Sequence, residues 1–396
     1  MKIGGVLSVT RGRQEPPRDN VRILATLREA LLQQGTARPG DHIVQGHNYL
    51  AVVTIASQGA FGQDSCRTLG AIADKLALDI DWSPCKGLAD REPRNPTEGP
   101  EGVPHPYLRQ AATQLLTGDA EAFTDEWLFD VRPPTDDRPY FYSFFRWRAL
   151  PHLMDAYGEQ WLTRSELGYV VLVAVLVEVV VLGGLLILLP LAVAPGFRGV
   201  QGRAATVACF GALGLGYMLI EMVCILRFTL VVGDPLYSAA VVIPAFLAFS
   251  GLGSLAGGRS GWSPRRKSAV AAVAVAALGI VCALGLGPLS RALLPLPQAA
   301  RLVLAVAAVA PVAFAMGWPF PSALSVVQRG RPALGPWAWG ANGFASVAAS
   351  PLAVMLALQW GYSAVLATAA ATYLCVAVAT HYLPGDDAQP NGMKNT

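Results

Sequence analysis

Few ionisable residues interrupt the apolar second half of this chain, and they are the first candidates for chemistry. Glu178 and Glu221 fall within long apolar stretches, while Arg227 and Asp234 bracket a short turn. Asn342, in the sequence WGANG, adds a polar group where a helix could break. Ionisable groups are costly within a bilayer and commonly mark ion, proton or substrate pathways. Together these residues form a candidate intramembrane polar site.

The sequence leaves two interpretations of Glu221 open. A buried carboxylate could bind a cation or relay a proton, or it could be a structural group that is paired or kept protonated in lipid. Arg227 lies one and a half turns further along the same apolar stretch, so the two side chains would point apart within one helix. A bend or a neighbouring helix could still bring them together. Glu178 could simply face the interior of a helix bundle.

A second charged cluster, formed by Asp136, Asp137 and Arg138, precedes an aromatic-rich segment with the sequence PYFYSFFRW. These aromatics, with Trp161, suit a belt at the membrane interface, where amphipathic rings lie at headgroup depth. The charged cluster could stand at a membrane entrance. The alternative is a solvated turn ahead of the interfacial segment.

Metal chemistry has little support in this sequence. His42 and His47 are five residues apart in a strand-like stretch, which predicts surface histidines on opposite faces rather than a metal site. The chain has 6 cysteines, none with metal-ligand spacing. Cys66 and Cys85 could pair only in an oxidising compartment. We therefore expect no metal.

The composition shows which elements must position these residues. Hydrophobic residues make up 53% of the 396 residues and charged residues only 14%, well below the roughly 25% typical of soluble domains. Residues 1–166 carry 18 Lys+Arg and 22 Asp+Glu, and residues 167–396 carry 12 and 5. About 20 apolar residues cross a bilayer, which predicts seven spans: Leu167 to Ala194, Ala204 to Leu226, Leu236 to Ala256, Ala269 to Leu286, Ala299 to Met316, Trp337 to Leu358 and Tyr362 to Tyr382.

Small residues and prolines predict how these spans pack. Gly253 and Gly257 have GxxxG spacing, which favours close helix contact. Pro319 and Pro321, in GWPFPS, predict a helix break whose freed backbone groups need protein or water partners. A break of this kind beside a buried carboxylate is what a substrate cavity requires, and it is also what close packing produces.

Loop charges predict the orientation of the spans. The loops after the first, third and fifth spans hold eight Lys and Arg, and those after the second and fourth hold three. Positive loops face the cytoplasm, so seven spans would put residues 1–166 outside. If the segment around Met316 to Val327 were re-entrant, the number of spans would no longer be odd, and residues 1–166 would lie on the cytoplasmic side instead.

The first part of the chain has the pattern of a partial α/β domain. Strand-like and helical stretches alternate from Ile3 to Trp82, an order that suits the closing half of an α/β sheet. His42 to Ser57 predicts either one bent strand or a hairpin. We therefore divide the chain into an α/β region (1–84), a connector with a helix and the aromatic segment (85–166), a multi-pass transmembrane domain (167–383) and a polar tail (384–396).

Several ordered motifs resemble those of the large bacterial membrane proteins known as spermidine-synthase-like. They are GGVLSVTR with PPRDNVRILATLREAL, then TDDRPYFYSFFRW, GYMLIEMVCILRFTLVVGDPLYSAAVVIPAFLAFSGLGS, MGWPFP and PWAWGANGFASV. They cover nearly the whole chain. The resemblance implies a Rossmann domain that binds S-adenosylmethionine, of the polyamine aminopropyltransferase or methyltransferase type, joined to a polytopic module in the bacterial inner membrane.

The Gly-rich turn on which such a fold binds its nucleotide-type cofactor has no counterpart in the first part of this chain. The nearest glycine cluster, Gly211, Gly214 and Gly216, lies in an apolar stretch and predicts helix packing instead. If the comparison holds, the chain begins near the fifth strand of the sheet. We therefore expect no cofactor in this chain, and either a truncated reading frame or a separate chain that supplies the cofactor-binding half.

Three functions follow from these observations. The leading hypothesis is the membrane-anchoring and substrate-handling portion of a transferase of this family, not catalytically competent alone. The second is a transporter-like protein, in which Glu221, Arg227 and Asn342 line a path for a cationic or amphiphilic solute. The third is a membrane scaffold. The expected partner is the lipid bilayer, and we expect no nucleic acid.

Overall fold

The computed structural model describes residues 5–85, 87–97, 105–158, 166–193 and 200–385. Trp161 and residues 386–396 of the predicted polar tail lie outside this description. The chain forms two compact units. The first comprises Met1–Thr135 and Pro139–Tyr169, and the second comprises Asp136–Arg138 and Val170–Thr396.

The first unit contains a four-stranded sheet with helices packed against it. Its strands have the order β1-β3-β2-β4, and each neighbouring pair is antiparallel. β1 and β2 both pair with β3, so they run in the same direction, with α1 between them in sequence. The elements are β1 (Val6–Gly12), α1 (Asp19–Gln33), β2 (Ile43–His47), β3 (Ala51–Ser57), α2 (Gln63–Lys75), β4 (Asp79–Trp82), α3 (Tyr107–Thr117), α4 (Ala120–Glu126) and α5 (Ala149–Tyr157).

β2 and β3 form a hairpin, which decides between the two structures predicted for His42 to Ser57. The side chain of Asn48 accepts hydrogen bonds from the backbone N–H groups of Leu50 (2.9 Å) and Ala51 (2.8 Å). Asparagine is favoured at turns because it can bond to the backbone two residues on. Asn48 therefore closes the turn that reverses the chain.

One core joins the predicted α/β region to the predicted connector. Leu24 on α1 and Leu115 on α3 are buried in the same cluster as Ile43 on β2 and Phe144. The buried guanidinium of Arg22 donates to the carbonyls of Asp130, Tyr140, Phe141 and Ser143. Residues 5–84 and much of 105–158 thus fold as one body.

The aromatic segment differs from the predicted interfacial belt. Phe144 and Phe145 are buried within the first unit, and the ring of Phe145 stacks on Tyr169 with centroids 4.3 Å apart. Tyr142 and Trp147 are exposed. Because their rings pack inside the first unit instead of facing a membrane surface, the prediction is wrong for Phe144 and Phe145.

A disulfide bond links Cys66 on α2 to Cys85 in the loop after β4. Cys85 is buried in a small cluster with Ala73, Ile80 and Leu88. The bond fixes α2 against the edge of the sheet. The sequence analysis expected these two cysteines to pair only in an oxidising compartment.

The second unit is built of helices, seven of which are long and apolar enough to cross a membrane. Their number equals the number of apolar segments predicted from the sequence. The fifth is longer than predicted because it continues past Met316 through a second helical segment. The elements are α6 (Leu167–Val193), α7 (Arg203–Val232), α8 (Pro235–Arg259), α9 (Pro264–Leu293), the fifth span made of α10 (Gln298–Met316) and α11 (Pro319–Gly330), α12 (Gly335–Trp360) and α13 (Tyr362–His381).

Glycines let several of these helices approach closely, as the sequence predicted. A side chain at Gly253 on α8 would overlap the carbonyl of Phe314 on α10, and Gly257 faces the ring of Trp318. Gly214 on α7 lies against the backbone of Asn342 on α12. Gly211, by contrast, has open space beside it. Small residues thus bring backbones together where lipid supplies no hydrophobic driving force between helices.

The helix breaks follow the prolines but not Asn342. α10 ends at Met316 and α11 begins at Pro319, as the GWPFPS sequence predicted. α12 runs from Gly335 to Trp360 without interruption, so Asn342 lies within a continuous helix and the predicted break there is wrong. Of its two flanking glycines, Gly340 fits a helix because a side chain there would overlap Leu191, whereas Gly343 has open space beside it.

The contact at Gly253 gives a test of this packing. Gly253→Ala should lower the free energy of unfolding by about 1–3 kcal/mol, because the new methyl group must displace the Phe314 backbone. Gly258→Ala, on the same helix with open space beside it, is the matched control and should leave stability unchanged or slightly raised. Thermal unfolding of the purified protein in detergent, followed by tryptophan fluorescence, measures both. Equal stability of the two variants would contradict the contact.

Candidate functional site

Arg227 is the buried cation of the helical unit. It lies near the C-terminal end of α7 and is 5% exposed. Its Nη1 donates to the carbonyl of Asp136 (3.1 Å) and lies 3.6 Å from a carboxylate oxygen of Asp137. Its guanidinium also stands over the ring of Tyr362, 5.4 Å from the centroid. Gly287 on α9 leaves the room that this group occupies.

Asp137 caps a helix that begins more than two hundred residues later in the chain. Its carboxylate accepts hydrogen bonds from the backbone N–H (3.0 Å) and the hydroxyl (2.8 Å) of Ser363, in the first turn of α13. The residue before that helix, Gly361, has a φ of +88° and no side chain that could cap it. An acidic group at this position satisfies free N–H groups and complements the helix dipole.

Asp136 makes a more exposed contact. Its carboxylate lies 2.9 Å from Nε of Arg291, with the two side chains 62% and 68% exposed. Arg138 belongs to the same three-residue segment. The structure therefore brings Asp136 and Asp137 together with Arg227, two clusters that the sequence predicted separately. Their charges balance in pairs, which fits a structural clasp (Asp136, Asp137, Arg227, Arg291) at one end of the helices.

The other predicted members of the intramembrane polar site do not meet. Asp234 caps α8 through the backbone N–H groups of Leu236 (2.7 Å) and Tyr237 (3.1 Å), so its role is structural. Glu178 is exposed on α6 rather than facing the interior. The single polar site predicted from the sequence is wrong in this respect, because these side chains lie on different helices and faces.

A cavity of about 690 Å³ lies among α7, α8, α12, α13 and the break between α10 and α11. Asn342 lines it, and the side-chain amide of Asn342 donates to the carbonyl of Phe210 (3.3 Å). Gly317 and Pro321 line it at the break. The proline break and the polar residue that the sequence singled out therefore border the same space.

The walls of this cavity are mainly apolar, with neutral polar groups between them. No Asp, Glu, Lys, Arg or His is found among the described residues that line it. The polar groups come from tyrosine, serine and asparagine side chains on four helices, α7, α8, α12 and α13. The sequence analysis missed most of these polar residues, because single hydroxyl groups in apolar helices form no recognisable pattern. The missed residues are Tyr217, Ser250, Ser254, Ser346 and Tyr373.

Glu221 lies one helical turn beyond the cavity wall. Leu213 and Tyr217 line the cavity from α7, and residues four apart share one face of a helix. Glu221 continues this row and is 6% exposed. No hydrogen bond or ion pair joins its carboxyl group to another residue in the described part of the chain. It does not pair with Arg227, which is held by Asp137.

The histidines also differ from the prediction. His47 is buried, not on the surface; its Nδ1 lies 2.8 Å from the Asp81 carboxylate and its Nε2 lies 2.9 Å from the carbonyl of Asn95. Burial alone lowers the pKa of His47, but the hydrogen bond to Asp81 and its charge raise it above the ordinary value. Within the described residues, no group of three or more His, Cys, Asp or Glu side chains could hold a metal ion.

A double-mutant cycle measures the clasp. Asp137→Asn and Arg227→Gln should show a coupling of about 1–2 kcal/mol in the free energy of unfolding, because removing either partner leaves a poorly solvated charge or an uncapped helix. The pair of Asp136→Asn and Arg291→Gln is the exposed control and should couple by less than about 0.5 kcal/mol. Similar couplings for both pairs would contradict a stronger contribution from the Arg227–Asp137 contact, in which the guanidinium is buried.

The chain stands apart in comparisons with known proteins. No family model, no curated protein and no solved structure matches it.

Proposed function

We propose that this chain is a multi-pass protein of the bacterial inner membrane whose helical unit binds a cationic amphiphile. The apolar part of the ligand occupies the cavity beside Asn342, and its ammonium group is neutralised by Glu221. The observation that carries this proposal is the cavity of about 690 Å³ with an unpaired buried carboxyl group one helical turn away.

The cavity suits an amphiphilic ligand in size and chemistry. Binding sites for small molecules commonly measure about 300–1,000 Å³, with apolar walls and a few polar groups that orient the ligand. Trp339 and Phe320 supply aromatic walls, and Asn342 and Ser346 supply hydrogen-bonding groups on one helix. A hydrocarbon chain with a small polar part fits this combination better than a free ion does.

The charge of the ligand is argued from Glu221. A carboxylate in an apolar bundle needs a cation or a proton to offset the cost of burial. Arg227 does not fill this role, because it contacts Asp136 and Asp137. Arg227 is also absent from the residues that line the cavity, so the path proposed here includes Glu221 and Asn342 but not Arg227.

Ligand binding can be measured by quenching of tryptophan fluorescence. The full chain in nanodiscs of zwitterionic lipid is titrated with a brominated dodecylamine and with the matched brominated alcohol. Glu221→Gln should weaken binding of the amine about 10- to 100-fold, the loss expected for one hydrogen bond to a charged group, and should leave binding of the alcohol unchanged. Trp339→Phe identifies the part of the signal that arises in the cavity.

Glu178→Gln is the matched control, because it replaces the same residue type by the same amide, but at an exposed position on α6. It should bind both probes as the unaltered chain does. If Glu221→Gln and Glu178→Gln bind the amine equally well, Glu221 does not recognise the ligand. If no quenching depends on Trp339, the cavity is not the binding site.

A second candidate function is the substrate-handling portion of a spermidine-synthase-like transferase. The motifs described above and the first unit support it, since β1, α1 and β2 follow one another as in an α/β fold, with both strands in the same direction. On this proposal a separate chain supplies the S-adenosylmethionine-type cofactor site. The cavity would then present an amine or amphiphile to that partner.

The compartment of the first unit separates the two candidates. The Cys66–Cys85 bond favours an oxidising compartment, and the loop charges favour the same outer side. S-adenosylmethionine is a cytosolic cofactor. Both observations therefore support the first candidate over the second.

Thiol labelling in cells tests this compartment. Cells are quenched rapidly in acid, and the denatured chain is treated with a polyethylene glycol maleimide before and after reduction. We expect two additional labels after reduction, and none in a Cys66→Ser, Cys85→Ser variant. Free thiols at both positions without reduction would place the first unit in the cytoplasm and favour the transferase candidate.

A further inference from the structure

We infer that α6 pairs with α6 of a second copy of this chain, through a contact centred on Glu178. This inference is independent of the proposed ligand. It concerns a helix that lies at the edge of the helical unit and whose most apolar 18-residue window has no buried residue.

Glu178 lies almost at the middle of this helix. α6 extends from Leu167 to Val193, and at 1.5 Å per residue Glu178 is about 3 Å from its midpoint. Its side chain is exposed, so in a bilayer it would face hydrocarbon at the greatest depth. Ionisable side chains at this depth are costly and almost always face protein or a water-filled cavity. The exposed carboxyl group therefore requires a partner, and the residues that the structure describes do not cover it.

The residues around Glu178 form a seam of the kind that pairs parallel helices. Val171, Ala174, Glu178 and Val181 follow the alternating three- and four-residue spacing of the a and d positions, and all four are exposed. Such spacing keeps one face of a helix toward its partner. A single polar residue at an a position commonly fixes the register and the number of helices.

Both ends of α6 have partners among the described residues. Tyr169, in its first turn, stacks on Phe145. Gly183 lies against Phe344, and Gly340 lies against Ile187 and Leu191. Between these contacts, Val171, Ala174, Glu178 and Val181 are exposed. The helix is thus held near both ends and presents its polar seam between them.

A second copy is the occupant that satisfies this seam. In a parallel symmetric pair, each residue on the axis meets its own equivalent, so the two Glu178 side chains lie at one depth. Two neutral carboxyl groups, or one neutral and one ionised, hydrogen bond to each other, and the small side chain of Ala174 lets the helices approach closely. A lipid molecule offers no hydrogen-bonding group at this depth.

The number of copies is measured on the full chain in nanodiscs, by single-molecule counting of a fluorescent label or by mass photometry. We expect a dimer for the unaltered chain and for Glu178→Gln, whose amide also bonds to itself across the pair. Glu178→Leu should raise the dimer dissociation constant at least 10-fold. A monomeric unaltered chain, or an unchanged constant for Glu178→Leu, would overturn the inference.

Cysteine cross-linking tests the geometry of the same contact in native membranes. In a Cys375→Ala background, Ala174→Cys and Val181→Cys should form disulfide-linked dimers on mild oxidation. Val180→Cys is the matched control, because Val180 is also exposed but lies on the opposite face of the helix, and it should not cross-link. Equal cross-linking at positions 180 and 181 would overturn the seam, whatever the copy number.

Discussion

The burial of the Arg227 guanidinium constrains the helical unit more than any other single interaction. This cation cannot be left alone in an apolar bundle, so its partners must be brought to it. They come from distant parts of the sequence: Asp136 and Asp137 precede every span, and Tyr362 begins the last one. Gly287 must lack a side chain for the guanidinium to fit. One charge therefore fixes the end of α7, the start of α13 and the segment 136–138 together.

Close helix contacts then explain where space remains. Gly253 and Gly317 bring the backbones of α8 and the fifth span together, while α10 ends at Met316 and α11 begins at Pro319. The cavity lies at this break, where Gly317 and Pro321 line it. Ser250, whose backbone lies against Gly317, also lines it, so the close contact between α8 and the fifth span forms part of the cavity wall.

The sequence predicted the features that arise from local pattern. Hydropathy predicted seven long apolar helices, GxxxG spacing predicted the contact at Gly253, and the prolines predicted the break after Met316. The contact between Arg227 and Asp137 depends on residues 90 positions apart, which no local pattern reports. The continuous helix through Asn342 was missed because Gly340, which suggested a break, instead makes room for Leu191 of a neighbouring helix. Burial of Phe144 was missed because aromatic rings suit an interface and a core equally well.

Three acidic residues of the helical unit show how position decides the role of a carboxylate. Asp234 binds free N–H groups at the start of α8, so its charge is already used. Glu221 is buried without a partner beside a cavity that has no charge of its own, and Glu178 is exposed at the middle of an outer helix. Neither Glu221 nor Glu178 has a charged partner among the described residues. In a membrane, such a carboxyl group needs a partner from outside the chain. A ligand can reach Glu221 from the cavity, and a second copy of the chain can cover Glu178. The same residue type therefore leads to two different inferences.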